Sequence, residues 1–191
     1  MSKFKLEKII NDNKKLIDKS KEYMNTITDF EHNSNHIEDV IKYLIDIMHN
    51  IDNDFDAEVC IISAYWHDVG RTIQEDNHEK ISAEMLKEEM MNLGYNETII
   101  EKCFNAVPFH KWNMTPKTIE GNILKDADKL AWLDVGRWSS CINNNQKLDA
   151  IINLLPKLRN EILFFEYSKK IYDMEIVNIL SLLYDEVYKI N

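Results

Sequence analysis

The sequence predicts an all-α protein, and three observations support that fold class. Only 4 Gly and 3 Pro occur among 191 residues, so few positions interrupt regular backbone. Apolar residues recur at the three-and-four spacing of a helical face, most clearly over residues 37–51. No segment shows the strict alternation of apolar and polar residues that is typical of a half-buried strand. We therefore expect a helical bundle.

The helices of the first half follow from this spacing. Residues 37–51 predict an amphipathic helix, with Glu38 and Asp39 on the face opposite its apolar stripe. Residues 57–69 are apolar almost all round, as in a central, buried helix, and Gly70 is its predicted C-cap.

The second half predicts helices by the same criteria. Residues 78–93 form the next predicted helix, which Gly94 closes, and residues 97–107 form another, which Pro108 stops. Residues 118–133 carry a broad apolar stripe. Residues 148–190 predict two further helices, with an interruption near Pro156.

The chain length and charge limit the class of protein. We expect one domain over residues 1–191, with a helical extension at 1–25 and C-terminal helices at 145–191, because no repeat or linker-like segment occurs. The formal net charge of −10 repels phosphate backbones and anionic lipid heads. Broad nucleic-acid binding and membrane binding are therefore not expected.

Cysteine usage and the N-terminal sequence predict a cytoplasmic protein. Cys60, Cys103 and Cys141 lie far apart and are odd in number, which favours reduced thiols, mostly in the core. The N-terminus has no signal-peptide pattern, and the longest apolar stretch, residues 59–66, is too short to cross a bilayer. The sequon that begins at Asn96 is interpreted as a helix start.

His67 and Asp68 stand side by side at the end of the most apolar predicted helix. Burying an unpartnered carboxylate costs several kcal/mol, so a positive group is expected near Asp68. That group could be Arg71, and a lone buried histidine is commonly a hydrogen-bonded core residue. Alternatively, imidazole and carboxylate are the ligand types that divalent metal ions prefer.

Three short motifs extend this pair into an ordered pattern. They are Asn-Ser-Asn-His at residues 33–36, Tyr-Trp-His-Asp-Val-Gly-Arg at residues 65–71 and Lys-Asp-Ala-Asp-Lys-Leu at residues 125–130. In this order the sequence resembles the HD-domain superfamily of metal-dependent phosphohydrolases, and the resemblance covers about residues 29–138. It implies a helical bundle of the HD-domain type.

The resemblance implies a set of metal ligands. His36, His67, Asp68 and Asp128 fall on the positions of the family's ligands. Asp126 competes for the last place, since both aspartates border the apolar stripe of their helix. The Ala-Asp-x-Leu context favours Asp128, and Asp126 is then expected to lie next to the ligand set or at the surface.

His78 and His110 stand between the pair and the final aspartate. This longer order is similar to the binuclear branch of the family, in which Asp68 would bridge two metal ions. The Gly-Tyr-Pro element of HD-GYP phosphodiesterases is absent, so hydrolysis of cyclic dinucleotides is not supported. A solvated histidine in a first helical turn and a loop histidine are equally open interpretations of these two residues.

The resemblance implies one or two divalent ions, either a transition metal (Mn, Fe, Co, Ni or Zn) or Mg, and a small phosphorylated substrate. Such ions lower the pKa of a bound water and offset charge on a phosphoryl oxygen. Asp68 and Arg71 are expected to act in catalysis. Lys129, Lys111 and His32 are candidates to bind the substrate. For Arg71, Lys129 and Lys111 taken singly, an ion pair on a solvated face is the simpler explanation.

Two other functions remain open at this point. Histidine- and aspartate-rich binuclear sites on the same architecture also support di-iron oxygenases, and a non-catalytic ligand-binding module is the third possibility. Trp112, Trp132 and Trp138 are assigned no role, because aromatic residues in a helical protein are more often in the core. The oligomeric state is left open.

Overall fold

The computed structural model describes residues 3–28, 34–133 and 148–189, and these form helices with no β-strand among them. The all-α prediction is therefore confirmed for the described residues. The α-helices are α1 (Lys3–Asp12), α2 (Lys14–Met24), α3 (Ser34–Asn50), α4 (Ala57–Trp66), α5 (His78–Asn92), α6 (Glu97–Ala106), α7 (Ile119–Ala131), α8 (Leu148–Lys157) and α9 (Glu166–Lys189).

Helix α4 is the centre of the bundle, as its apolar sequence predicts. It begins at the N-cap Asp56, whose side chain accepts hydrogen bonds from the backbone N–H groups of Glu58 and Val59. Every residue from Val59 to Trp66 is buried. Helices α2, α3, α6 and α7 pack around it, so the residues that follow its C-terminal end enter the middle of the protein.

Gly70 has a different role from the one the sequence suggests. Helix α4 ends at Trp66, and Gly70 lies in a short 3₁₀ helix at Val69–Thr72, so the C-cap prediction is wrong. A Cβ atom at Gly70 would lie 2.2 Å from the carbonyl oxygen of His78 and 2.7 Å from the backbone nitrogen of Ser82. The missing side chain allows the 3₁₀ helix to contact α5 directly.

The end of α5 and the start of α6 follow the predicted signals, and α7 begins with an N-cap of its own. Gly94 closes α5 with a φ of 75°, the left-handed conformation that glycine adopts without strain. Asn96 caps α6 by accepting a hydrogen bond from the N–H of Thr98, which confirms its interpretation as a helix start. Thr118 caps α7 in the same manner, through the N–H of Gly121.

The N-terminal extension packs on the bundle through α2. Leu16 is fully buried, and its carbonyl oxygen accepts a hydrogen bond of 3.1 Å from the indole nitrogen of Trp66. The side chain of Asn13 is also buried, and it accepts a hydrogen bond of 2.7 Å from the hydroxyl of Tyr95. These contacts connect the first two helices to α4 and to the end of α5.

At the C-terminal end, α8 contains Pro156 and stops at Lys157, and a single π-helical turn follows before α9 begins at Glu166. The interruption therefore falls just beyond the predicted proline. Cys60 and Cys103 are buried free thiols, and burial raises the pKa of Cys103 to about 12. Cys141 lies outside the described residues. Among the described helices, none combines the length and the apolar character that a membrane span requires.

Candidate metal centre

Five segments of the chain bring buried imidazoles and carboxylates to one point in the bundle. His36 lies in the first turn of α3, His67 and Asp68 directly follow α4, and His78 begins α5. His110 follows the 3₁₀ turn after α6, and Asp128 lies in the last turn of α7. Each is at most 7% exposed. In chain order they are His36, His67, Asp68, His78, His110 and Asp128. The solvated alternative for His78 is therefore wrong, whereas His110 does lie at the start of a loop and is nevertheless buried.

The first group of side chains consists of His36 and His67, which lie around Oδ2 of Asp68 and Oδ1 of Asp128. The Nε2 atom of His36 lies 3.1 Å from Oδ1 of Asp128 and 3.9 Å from Oδ2 of Asp68. The Nε2 atom of His67 lies 3.8 Å and 3.7 Å from the same two oxygens. Two imidazoles from different segments thus face the same pair of carboxylates.

The second group consists of His78 and His110, which lie near the other carboxylate oxygen of Asp68. Its Oδ1 atom is 3.2 Å from Nε2 of His78 and 3.5 Å from Nε2 of His110. These two nitrogens are 3.4 Å apart. The two oxygens of one carboxylate therefore face two different groups of imidazoles, and Asp68 is common to both.

Local hydrogen bonds fix the orientation of three of the rings. In His67, His78 and His110, Nδ1 lies 2.8 Å from the backbone carbonyl oxygen of the residue three positions earlier. A carbonyl oxygen can only accept, so Nδ1 carries the proton and donates it. In the neutral rings Nε2 then has only a lone pair, and it is Nε2 that faces the aspartates.

The chemistry of these atoms fits a divalent cation. Imidazole lone pairs and carboxylate oxygens converge, and acceptors in contact repel one another unless a proton or a metal ion lies between them. Among the described residues, Nε2 of His67 and Oδ1 of Asp68 are buried without a hydrogen-bond partner. Three overlapping groups place one ligand atom per residue within 4.8 Å of one another, and each group could hold an ion.

The pKa values favour the protonation states that metal ligands need. Burial lowers the pKa of His67 and of His110, and the nearby carboxylates offset only part of that effect. Burial acts to raise the pKa of Asp68, but the imidazoles, led by His67, and the guanidinium of Arg71 hold it well below its usual value. Burial also acts to raise the pKa of Asp128, but the charge of Lys129 and the imidazoles of His36 and His67 together hold it well below its usual value. Neutral imidazoles and ionised carboxylates result.

The predicted substrate-binding cations lie in different surroundings. Nε of Arg71 is 3.0 Å from Oδ2 of Asp68, and the guanidinium also pairs with the exposed Glu75. Nζ of Lys129 is buried and donates a hydrogen bond of 2.6 Å to Asp128, so the solvated ion pair considered for Lys129 is wrong. The side chain of Lys111 is 41% exposed.

Asp126, the competing ligand, serves another part of the fold. Its carboxylate accepts hydrogen bonds of 2.8 Å and 3.0 Å from the backbone N–H groups of Phe164 and Phe165, directly before α9. It is fully buried, so the expectation of a surface position is wrong, and burial raises its pKa to about 6. Asp128, and not Asp126, therefore faces the histidines.

Two buried residues next to the site were missed by the sequence reasoning. Glu79 directly follows His78, and its Oε2 atom lies 3.6 Å from Nζ of Lys111. Lys125, one turn before Lys129, donates hydrogen bonds to the carbonyl oxygens of two loop residues. Their position beside candidate ligands was the only available signal. His32, the remaining candidate for substrate binding, and Trp138 lie outside the described residues.

This fold and this site define a class of protein: a helical bundle with a buried cluster of imidazoles and carboxylates that could hold a divalent cation. The family model of the HD domain matches residues 33–133, more than half of the chain, and the chain belongs to that family.

Comparison with solved structures supports the same fold. The chain is similar to the crystal structure of a predicted HD superfamily hydrolase from an uncultured Thermotogales bacterium, with a TM-score of 0.70. The two are 18% identical, and the match covers 93% of this chain and 92% of that chain. No match to a curated protein was found.

Proposed function

We propose that this protein is a metal-dependent phosphohydrolase that acts on a small anionic substrate, such as a nucleotide. The observation that carries the proposal is the position of Asp68, whose two carboxylate oxygens face two separate groups of imidazoles. The printed description of the similar structure, a predicted HD superfamily hydrolase, supports the same reaction class.

The chain offers a ligand set for two ions. Four side chains would hold the first and three the second, with Asp68 shared between them. The first set is His36, His67, Asp68 and Asp128, and the second is Asp68, His78 and His110. When bound, divalent cations would supply a water that ionises near neutral pH and would offset charge on a phosphoryl oxygen.

The surrounding cations have separate tasks in this proposal. Hydrolysis forms a bond between the water oxygen and phosphorus and breaks the bond to the ester oxygen, which leaves with a proton. The increasing charge on the phosphoryl oxygens requires positive groups. Arg71 and Lys111 are the candidates to bind them, because Arg71 lies beside Asp68 and the side chain of Lys111 is exposed. The ammonium of Lys129 is bonded to Asp128, so we place Lys129 beside the ligands and not among the phosphate contacts.

The formal net charge of −10 also bears on the substrate. A chain with this charge repels polyanions at long range, whereas bound dications reverse the sign of the field over a few ångströms. This arrangement favours a small phosphate ester over a polyanion.

The test combines metal analysis with a substrate panel. The wild-type protein, purified without chelator, is expected to contain divalent metal and to release phosphate or a phosphomonoester from at least one member of a panel of mono- and diesters. Asp68→Ala should lose at least 100-fold in activity, because removing even a residue that only supports a ligand typically costs 10- to 100-fold. Asp52→Ala removes an exposed carboxylate and should behave as wild type.

Three results would overturn the proposal. A wild-type protein with no bound metal, together with an unchanged activity of Asp68→Ala, would remove the metal centre from the reaction. Bound iron with consumption of oxygen and no release of phosphate would instead identify a di-iron oxygenase. A protein that binds metal but turns over neither kind of substrate would indicate a binding module.

A further inference from the structure

Lys125 carries a buried ammonium group that the proposed reaction does not use. The residue is 6% exposed, and Nζ donates hydrogen bonds to the carbonyl oxygens of Trp112, at 3.2 Å, and of Met114. Burying an ammonium is costly unless hydrogen bonds replace its water shell. The two carbonyl oxygens therefore replace part of the water shell of this ammonium and tie it to the loop.

Those carbonyl oxygens belong to the loop that begins with His110. The loop has little hydrogen bonding of its own in the described structure: the N–H of Met114 bonds to the carbonyl oxygen of Lys111 at 3.1 Å. From α5, Oε2 of the buried Glu79 lies 3.6 Å from Nζ of Lys111, whose side chain is partly exposed. From α7, the buried Lys125 bonds to the main chain of the loop, and Nζ of Lys129 lies 5.7 Å from the centre of the Trp112 ring.

Helix α7 also carries a candidate ligand of the other group. Asp128 is three residues after Lys125, so both side chains lie on the same side of the helix. One turn of α7 thus carries both Asp128, of the first group, and Lys125, which bonds to the loop that begins with His110 of the second group.

We propose that Lys125 is a positioning residue that holds His110 in place and thereby sets the affinity of the second metal ion. The inference rests on the proposed function, because it takes the two ligand groups to be metal sites. Lys125 contacts neither group directly, and it acts through the main chain at Trp112 and Met114.

The test is a calorimetric titration of the metal-free protein with Mn²⁺. Wild type is expected to bind two ions, and His110→Ala should bind one, which identifies the step that belongs to the second site. Lys125→Met keeps the length of the side chain and removes the ammonium. It should weaken the second step by 10- to 100-fold, as for other residues that support a metal ligand, and leave the first step within threefold of wild type. Lys157→Met, at an exposed lysine, is the matched control and should change neither step.

A double variant separates positioning from general damage to the fold. If Lys125 acts through His110, adding Lys125→Met to His110→Ala should leave the affinity of the remaining ion unchanged. A further loss in the double variant, an equal loss at both steps in Lys125→Met, or no loss at the second step would overturn the proposal. Lys125→Arg keeps a cationic donor and serves if Lys125→Met does not fold. It should weaken the second step by less than about 10-fold and leave the first step unchanged; an equal loss at both steps would again overturn the proposal.

The outcome for wild type distinguishes this inference from the proposed function. Two bound ions and release of phosphate, with Lys125→Met unchanged at both steps, would contradict the role of Lys125 alone. A wild-type protein that binds no Mn²⁺, or only one ion, would overturn the role of Lys125, and the absence of any ion would contradict the proposed function as well.

Discussion

Asp126 and Asp128 lie two residues apart on α7, and their carboxylates have different partners. Asp128 is 3.1 Å from Nε2 of His36, whereas Asp126 accepts hydrogen bonds from the backbone at Phe164 and Phe165. Residues two positions apart on a helix do not share a face, so one short segment can serve two separate neighbours. Helix α7 thereby connects the candidate metal centre to the start of α9.

Substitution of each aspartate should give opposite results. Asp128→Ala is expected to lower metal affinity at least 10-fold, because it removes a proposed ligand. Asp126→Ala should preserve metal stoichiometry but destabilise the protein by about 1–3 kcal/mol, since it leaves the N–H groups of Phe164 and the buried Phe165 without their acceptor. Metal analysis and urea denaturation of both variants measure these effects. Loss of metal from Asp126→Ala with intact stability would contradict the assignment.

Gly70→Ala should destabilise the protein by about 1–3 kcal/mol, the usual cost of inserting a methyl group where there is no space. The new Cβ atom would contact the backbone of His78 at 2.2 Å, so we also expect weaker binding of the second metal ion. Thermal unfolding and Mn²⁺ titration test both effects. Gly94→Ala is the comparison: space is open there but φ is positive, so stability should fall while metal affinity is retained.

Asp56→Ala should show a pH-dependent loss of stability. Burial acts to raise the pKa of Asp56, but the hydrogen bond from Lys102 and the N–H groups at the start of α4 lower it below its usual value of 3.8. A lowered pKa in the folded state stabilises the protein above the unfolded-state pKa, and this contribution is lost as the pH falls through the folded-state pKa.

We therefore expect Asp56→Ala to lower the unfolding free energy by about 1 kcal/mol at pH 7, the usual effect of losing an N-cap. The difference from wild type should shrink as the pH falls below about 3.8. Denaturant titrations at several pH values measure it, with Asp52→Ala as an exposed control. A difference that stays constant from pH 7 to pH 3 would show that the charge of Asp56 does not contribute.

Leu16→Ala tests the attachment of the N-terminal extension. The side chain is fully buried against the bundle, and removing a buried leucine typically costs about 2–5 kcal/mol. Ile73→Ala, at a residue that is 66% exposed, should change stability by less than about 0.5 kcal/mol. If Leu16→Ala were as stable as Ile73→Ala, the extension would not contribute to the core.

The sequence predicts the helices and the order of the site residues well, because both leave local signals. The apolar face of α3 and the all-apolar α4 appear as spacing, and the residues at the ends of α5, α6 and α7 follow known capping preferences. The end of α4 is less clear, since apolar residues continue beyond Trp66 into the 3₁₀ helix. Sequence spacing does not show where hydrogen bonding changes from the α to the 3₁₀ pattern.

Directions of side chains could not be predicted in the same way. Both Asp126 and Asp128 border the apolar stripe of α7, and what separates them is the backbone at Phe164, 38 residues away. Lys125 binds main-chain carbonyl oxygens, which every residue has, so its partners carry no signature in the sequence. The burial of His78 likewise depends on the packing of α5 on its neighbours, not on the composition of α5.

The three carbonyl bonds to His67, His78 and His110 have a consequence for how the site tolerates mutation. Each ring is oriented by the main chain of its own four-residue segment, at Ala64, Glu75 and Val107. A side-chain substitution at those partners cannot delete a carbonyl oxygen. Substitutions at these three positions therefore leave the ring orientations unchanged. The orientations depend instead on residues that fix the path of the backbone, such as Gly70 and Lys125.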